Sequence, residues 1–197
     1  LADICNGTNY KVCKINAVSP PELTDTTNCL SGNITMVIVP KGSGASYKAA
    51  AGWKNYTIVE EGGCDVEVTV TTPGYMAVDI MEQAGVAPAK VTTLKVHGKI
   101  NRTDFNVMKS NMLNCYSIDL SDADCDTIPD DAFNGKTYLI GFTLPQNCKY
   151  IGKNAFKDCS LSELSLPNGL ETISDYAFYG TNIGGNITFP ASVKNIG

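Results

Sequence analysis

The stretch Ile128-Pro-Asp-Asp-Ala-Phe133 returns twice further along the chain, as Ile151-Gly-Lys-Asn-Ala-Phe156 and as Ile173-Ser-Asp-Tyr-Ala-Phe178. These copies start 23 and 22 residues apart, and a fourth opens 23 residues later at Ile196. An apolar-x-apolar-Pro step precedes each later copy and ends at Pro145, Pro167 and Pro190. A fixed period of this length predicts stacked repeats, none of which can bury its apolar face alone.

A second pattern, apolar-x-x-apolar-x-apolar, predicts one strand in each repeat. It occurs at Val91-Leu94-Val96, Cys115-Ile118-Leu120, Leu139-Phe142-Leu144 and Leu161-Leu164-Leu166, and with one inserted residue at Ile183-Ile187-Phe189. We expect parallel strands near residues 93–96, 117–120, 141–144, 163–166 and 186–189 in one continuous sheet. The predicted fold is therefore an α/β leucine-rich repeat solenoid, with this sheet on one face and short helices and irregular returns on the other.

Residues that alternate with the buried apolar ones should point outward from the sheet. They fall into two columns, Lys95, Asp119, Thr143, Ser165 and Thr188 in one, and Thr93, Ser117, Gly141, Glu163 and Asn186 in the other. All of them except the glycine are candidate binding residues of the concave face.

The first part of the chain repeats the strand template in another setting. Tyr10-Cys13-Ile15 and Ile34-Val37-Val39 lie 24 residues apart, and a helix-forming run at residues 47–51 follows. Gly52 should end this helix, and Trp53 should pack against its end as a closing cap. We interpret residues 1–61 as the C-terminal end and cap of a preceding array, and 62–65, with Gly62-Gly63, as a junction.

Residues 66–197 are predicted to form the N-terminal cap and first repeats of a second array that stops in mid-repeat. Val66-Glu-Val-Thr-Val70 alternates as a strand does. Thr72-Pro73 resembles a helix start and Gly85 a helix end, and this helix would bury Met76, Ile80 and Ala84. A second helix is expected from Thr103-Asp104, with Phe105, Met108 and Met112 on one face.

Composition limits the function classes. The 197 residues carry a net charge of -5 and are 43% hydrophobic, which predicts an ordinary core and argues against a nucleic acid partner. No apolar run is long enough to span a membrane. Leu1 carries no signal peptide, so either the signal was removed or the chain is an excised fragment. We expect further repeats after Gly197, and the open edge there is a candidate surface for self-association.

These residues resemble a known family. The period, the Ile-x-x-x-Ala-Phe step, the apolar-x-apolar-Pro strand and the segment from Val39 to Trp53 resemble BspA-like leucine-rich repeat proteins. The resemblance covers residues 10–53 and 116–197 and is weaker over 64–113. It implies a secreted or cell-surface protein, anchored on the outer surface and engaged in adhesion to host proteins or other cells. The scaffold displays many different surfaces, so it does not identify a ligand.

The eight cysteines allow two readings. An even count in a secreted chain suggests disulfides. However, Cys13, Cys115, Cys125 and Cys148 stand at positions that Leu, Ile or Val occupies in other repeats, which favours free, buried thiols. The alternative is one bridge between neighbouring repeats, with Cys125 and Cys148 as the best pair.

The sequence contains no motif for catalysis or for a cofactor. Asp122, Asp124 and Asp126 imitate the start of a calcium-binding EF-hand loop, but Thr127 and Phe133 stand where Gly and Glu are needed, which favours solvated turn residues. His97 is the only histidine and has no titratable partner at a motif spacing. No cysteine or histidine spacing indicates zinc. Sequons occur at Asn6, Asn33, Asn55, Asn101 and Asn186.

Two hypotheses of different classes follow. The chain is an extracellular binding module that contacts a protein or glycan surface through its strand-lined face, and is not an enzyme. Alternatively, it is a structural spacer of a larger surface protein and has no ligand of its own. Charged outward residues favour binding, whereas the small Thr143, Ser165 and Thr188 suit a spacer.

Overall fold

A computed structural model describes residues 12–23, 34, 36–60 and 64–197. Its contacts divide the chain into two compact units, Leu1–Gly63 and Cys64–Gly197. Both units combine short helices with parallel strand pairs, which confirms the mixed α/β class with parallel sheets. The predictions that lie outside the described residues concern Asn6, Tyr10, Asn33 and the Gly62-Gly63 pair.

Within its described residues, the first unit contains one parallel sheet, one short α-helix and a 3-10 turn, Trp53–Asn55. Its elements are β1 (Val12–Lys14), β2 (Met36–Val39), α1 (Gly44–Ala49) and β3 (Thr57–Glu60), in the sheet order β1-β2-β3. Cys13 pairs with Val37, which confirms the predicted alignment of the two strand templates. The third strand was not predicted, because the adjacent Ile58 and Val59 do not follow the spacing of the template.

Trp53 lies at the centre of the core of this unit. The helix runs three residues earlier than predicted at its start and two at its end, and Gly52, with a φ of 80°, turns the chain after it. The indole is fully buried, meets the Tyr47 ring edge-on with centroids 5.0 Å apart, and donates from Nε1 to the Pro21 carbonyl at 2.9 Å. The predicted packing of Trp53 is confirmed, and its polar edge is satisfied as buried tryptophan requires.

The second unit contains two parallel sheets and two helices. Its elements in chain order are β4 (Asp65–Val70), α2 (Met76–Ala84), β5 (Thr93–Lys99), α3 (Arg102–Ser110), β6 (Ser117–Asp124), β7 (Thr127–Ile128), β8 (Gly141–Thr143), β9 (Tyr150–Ile151), β10 (Thr172–Ile173) and β11 (Asn195–Ile196). One sheet has the order β4-β5-β6-β8 and the other β11-β10-β9-β7. A short 3-10 turn, Pro88–Lys90, leads into β5.

The predicted parallel strands are confirmed at β5, β6 and β8 and are wrong after them. Residues 163–166 and 186–189 form no strand. Only two backbone bonds join their two repeats at this point, Asn182 N–H to Leu161 O and Gly184 N–H to Ser162 O. Gly185 then takes a φ of 79°, so the chain departs from extended geometry just before residues 186–189.

The second sheet was not predicted. It joins the first residues of the Ile-x-x-x-Ala-Phe step, with Ile151 paired to both Ile128 and Ile173. These isoleucines are buried. Each of their repeats thus has a two-residue strand at a place where the sequence pattern indicates only a core residue. The phenylalanines of the same step stack in line, with centroids 5.4 Å apart for Phe133 and Phe156 and 5.3 Å for Phe156 and Phe178.

The start of α2 differs from the prediction. Residues 72–75 form a turn closed by Tyr75 N–H on the Thr72 carbonyl, and Gly74 has a φ of 98°, so the helix begins only at Met76. The predicted end is confirmed, because Gly85 takes a left-handed conformation with a φ of 68°. Met76 and Ile80 are buried as expected, but Ala84 is exposed near the helix end.

The start of α3 is set by a capping box. Asn101 accepts a bond from Thr103 N–H, and the Asp104 carboxylate accepts one from Asn101 N–H at 2.9 Å. The helix therefore begins at Arg102, one residue before the predicted start, with Asn101 as its cap. The expected buried side chains of Phe105, Met108 and Met112 are confirmed.

Candidate functional site

The strand-lined face is the outward side of β4, β5, β6 and β8, together with residues 162–165. Along β5 and β6, buried Leu94, Val96, Ile118 and Leu120 alternate with residues that point outward. The register pairs Thr93 with Ser117 and then Gly141, and Lys95 with Asp119 and then Thr143. The first three positions of both predicted columns are therefore neighbours. β4 extends the columns by Asp65 and Glu67.

The remaining predicted binding residues lie outside this sheet. Glu163 and Ser165 are exposed and stand beside β8 without pairing to it. Asn186 and Thr188 are exposed on a segment that forms no strand, so the structure does not add them to the columns as further strand positions. The outward columns therefore end after three strands of the predicted five.

A charged cluster occupies the middle of the face. Lys95 Nζ lies 2.9 Å from Asp122, and His97 Nε2 lies 2.7 Å from Glu67 and its Nδ1 3.6 Å from Asp122. The hydrogen bond and the charge of Lys95 lower the pKa of the Asp122 carboxyl, and the same bond raises the pKa of the lysine. Because the side chains of these ion pairs are largely exposed, the pairs contribute little to stability.

This cluster corrects the sequence reading of His97. The residue lies inside β5 and has two acidic neighbours, whereas it was expected after the strand and without a partner. A register shift between Lys95 and His97 brings Asp122 opposite the histidine, and no spacing rule reveals such a shift. The alternation of Val66 to Val70 already placed Glu67 on the outward face, so it could have identified Glu67 as a residue of this cluster.

A cleft opens beside β8, where the sheet was expected to continue. It has a volume of about 550 Å³ and separates residues 140–143 from 162–165. Gly141 contributes no side chain here, and a Cβ at this position would stand 2.9 Å from Ser117 Oγ. On β8 the ring of Phe142 packs against Phe133 and Phe156 with centroids 5.0 and 4.7 Å apart, where the other repeats carry Ile118 and Leu164. Four predicted binding residues line this cleft, namely Ser117, Thr143, Glu163 and Ser165.

A family model for the BspA type leucine rich repeat region matches residues 99–197 in six copies. The chain belongs to this family. The matched repeats contain β6, β8 and the whole cleft, whereas β4 and most of β5 precede them. No curated protein matches the chain.

Several acidic residues of these BspA-type repeats accept hydrogen bonds, within a repeat or from the next one. Asp119 accepts from Ser121 N–H, Asp130 from Lys153 N–H, and Asp131 from the side chains of Asn134 and Asn154. The reading of the run as turn residues is wrong for Asp119, Asp122 and Asp124, which lie in β6. Within the described part of the chain, no group of three or more His, Cys, Asp or Glu side chains is placed to hold a metal ion.

The cysteines of the repeats are mainly core residues. Cys115, Cys148 and Cys159 are buried, which raises their thiol pKa to about 11, about 12 and about 12. Cys125 is only partly buried, and burial is also the main cause of its raised pKa. These four thiols and that of Cys64 are free, whereas Cys5 and Cys29 lie outside the described residues. Raised pKa values make the buried thiols poor nucleophiles.

No helix in the described residues is long and apolar enough to cross a membrane.

Proposed function

We propose that the second unit is part of an extracellular leucine-rich repeat solenoid that binds a protein or glycan surface, on a host or on other microbes, through its strand-lined face. One observation carries the proposal: outward side chains from three registered strands form columns that have no role in the core. Repeats of this family generally serve as binding modules rather than enzymes. Modest contacts summed over such columns, and repeated on one cell surface, would give useful avidity.

The proposal includes an order for the two units. Residues 1–61 would end a preceding array, residues 62–65 would join the two, and residues 66–197 would begin a second array. The closed core around Trp53 supports the first of these assignments, because a terminal repeat needs an atypical segment that covers its apolar surface. A secreted or surface location follows from the family relationship as part of the same proposal.

A binding screen with a matched charge reversal tests the proposal. The chain is presented to immobilised matrix proteins, to mucin glycans and to whole cells. For any surface that binds, Glu163→Lys on the strand-lined face is compared with Glu82→Lys on exposed α2, which changes the net charge equally. We expect the first variant to weaken binding by about tenfold and the second to leave it unchanged, because only the first reverses a charge within the proposed contact.

Asp119→Lys gives a second measurement on the same face. It also removes the bond from Ser121 N–H, so its folding must be checked by circular dichroism before its affinity is interpreted. Equal affinities for wild type and both face variants would move the site elsewhere. No binding to any surface would favour a spacer.

A further inference from the structure

The β8 cleft exposes backbone groups that a sheet would normally pair. Between β6 and β8 the ladder is regular, with Ile118 opposite Phe142 and Gly141 N–H bonded to Tyr116 O at 3.1 Å. The repeat alignment puts residues 162–165 in the next place, yet no backbone bond joins them to β8. β8 is therefore an edge strand inside the repeat array.

The direction of these groups follows from the ladder. Successive residues of a parallel strand bond alternately to the two neighbours. Gly141 and Thr143 turn toward β6, so the N–H and C=O of Phe142 face the cleft. On the opposite side, the backbone N–H groups of Glu163 and Ser165 make no hydrogen bond within the described chain. Donors and acceptors that alternate along an open edge are complementary to an extended peptide backbone.

The side chains around the cleft add a preference to this backbone pattern. Gly141, Ser117 and Ser165 are small, so the backbone can be approached closely, and Phe142 and Leu164 supply an apolar base. Glu163 is exposed at the rim, and no positively charged residue is among the residues that line the cleft. A partner with a lysine or arginine side chain at this point therefore gains a favourable charge contact.

We propose that the β8 cleft binds an extended peptide segment of a partner protein, which adds to β8 as a strand and places a basic side chain beside Glu163. The inference rests on the proposed binding function and specifies the chemistry of its partner. A peptide is favoured over a glycan because sugar hydroxyls do not repeat with the two-residue period of a strand edge.

The test uses peptides selected from a random dodecapeptide library displayed on phage, with the full chain as target. Selected peptides are synthesised, and their affinity is measured by fluorescence anisotropy. Each is then remade with N-methyl groups on alternate residues, in both phases. N-methylation removes backbone donors and keeps the side chains, so we expect at least one phase to weaken binding by about tenfold or more. Hydrogen exchange should slow at Phe142 and Ser165 when peptide is bound.

A pair of glycine variants provides the control on the protein. Gly141→Val adds a branched side chain at the wall of the cleft, where its Cβ would stand 2.9 Å from Ser117 Oγ, whereas Gly169→Val adds the same side chain where a Cβ meets nothing within 4 Å. We expect the first variant to lose peptide binding and the second to keep it. The N-methyl series does not depend on how either variant folds.

Three results would overturn the inference: both N-methylated peptides binding as tightly as the unmodified peptide, unchanged peptide binding by folded Gly141→Val, or mucin glycan binding that this variant abolishes while no peptide is selected. The proposed function would survive each of these if Glu163→Lys still weakened attachment to matrix proteins or cells. Loss of the peptide inference and loss of the binding function are thus separate outcomes.

Discussion

The Asp104 carboxylate is the strongest local support of the second unit, and its removal makes a quantitative test. It is completely buried and accepts three backbone bonds, from Gly74 N–H at 2.7 Å, Asn101 N–H at 2.9 Å and Met76 N–H at 3.1 Å. One side chain therefore caps α3 and fixes the turn before α2. Both helices cover the core formed with β4 and β5.

The size of the effect depends on which donors water can reach. Met76 is fully buried, so its N–H would remain unpaired in Asp104→Ala, at a cost of about 1 to 3 kcal/mol. Asn101 is exposed and Gly74 is partly exposed, so water replaces much of their bonding, and each adds about 0.5 kcal/mol. The expected loss is about 2 to 4 kcal/mol. Asp104→Asn keeps one acceptor oxygen and should lose about half as much.

Urea unfolding measures this loss. Far-UV circular dichroism follows the helices, and the single tryptophan, Trp53, reports on the first unit. We expect the dichroism midpoint to fall in the order wild type, Asp104→Asn, Asp104→Ala, with protection of the α2 amides reduced in hydrogen exchange. If the free energy of unfolding of the alanine variant lies within about 0.5 kcal/mol of wild type, these bonds do not contribute to stability. A change of that size is typical of substitutions at exposed surface positions.

Three other local features lead to measurable effects. Tyr176 has a φ of 57° where the preceding repeat has Asn154, so Tyr176→Asn should raise the melting temperature by relieving about 1 kcal/mol of strain. Burial raises the pKa of Cys148 and Cys159 to about 12, so both should resist iodoacetamide at about pH 8 while the chain is folded and react in urea. Backbone N–H groups lower the pKa of Glu60, so Glu60→Gln should cost about 1 kcal/mol at neutral pH by tryptophan fluorescence. This difference should shrink as the pH falls below the unfolded value near 4.5, because protonation removes the same carboxylate from the wild type.

Buried positions explain why much of the fold could be predicted. A residue such as Ile118 or Leu94 is restricted to apolar types by its place in the core, and its recurrence at a fixed spacing reveals the strand. The register of Cys13 with Val37 followed from the same restriction. Two-residue strands such as β9 escaped prediction because one buried isoleucine per repeat carries no alternation.

The candidate site was predicted less completely, because outward residues are not restricted in this way. Asp122 comes opposite His97 through a register shift in β6, and that shift leaves no periodic pattern. The separation of residues 162–165 from β8 also conflicts with an unbroken template, since Leu164 and Leu166 match the strand pattern as well as Leu94 and Val96 do. A match to the strand pattern shows which side chains point inward. It does not show whether the backbones of neighbouring repeats are hydrogen-bonded.

The cleft beside β8 opens in a part of the repeat array that stays packed on its other side. The ladder through Ile128, Ile151 and Ile173 joins the later repeats and continues unbroken past the point where the ladder of β4, β5, β6 and β8 ends. The bonds lost beside β8 therefore do not separate the repeats, and the phenylalanine stack still joins them. At this point the chain carries Phe142 and Gly141, and a strand edge is exposed between repeats that remain packed. Sequence changes of this kind leave the repeat pattern intact, so members of one repeat family can carry different sites on the same scaffold.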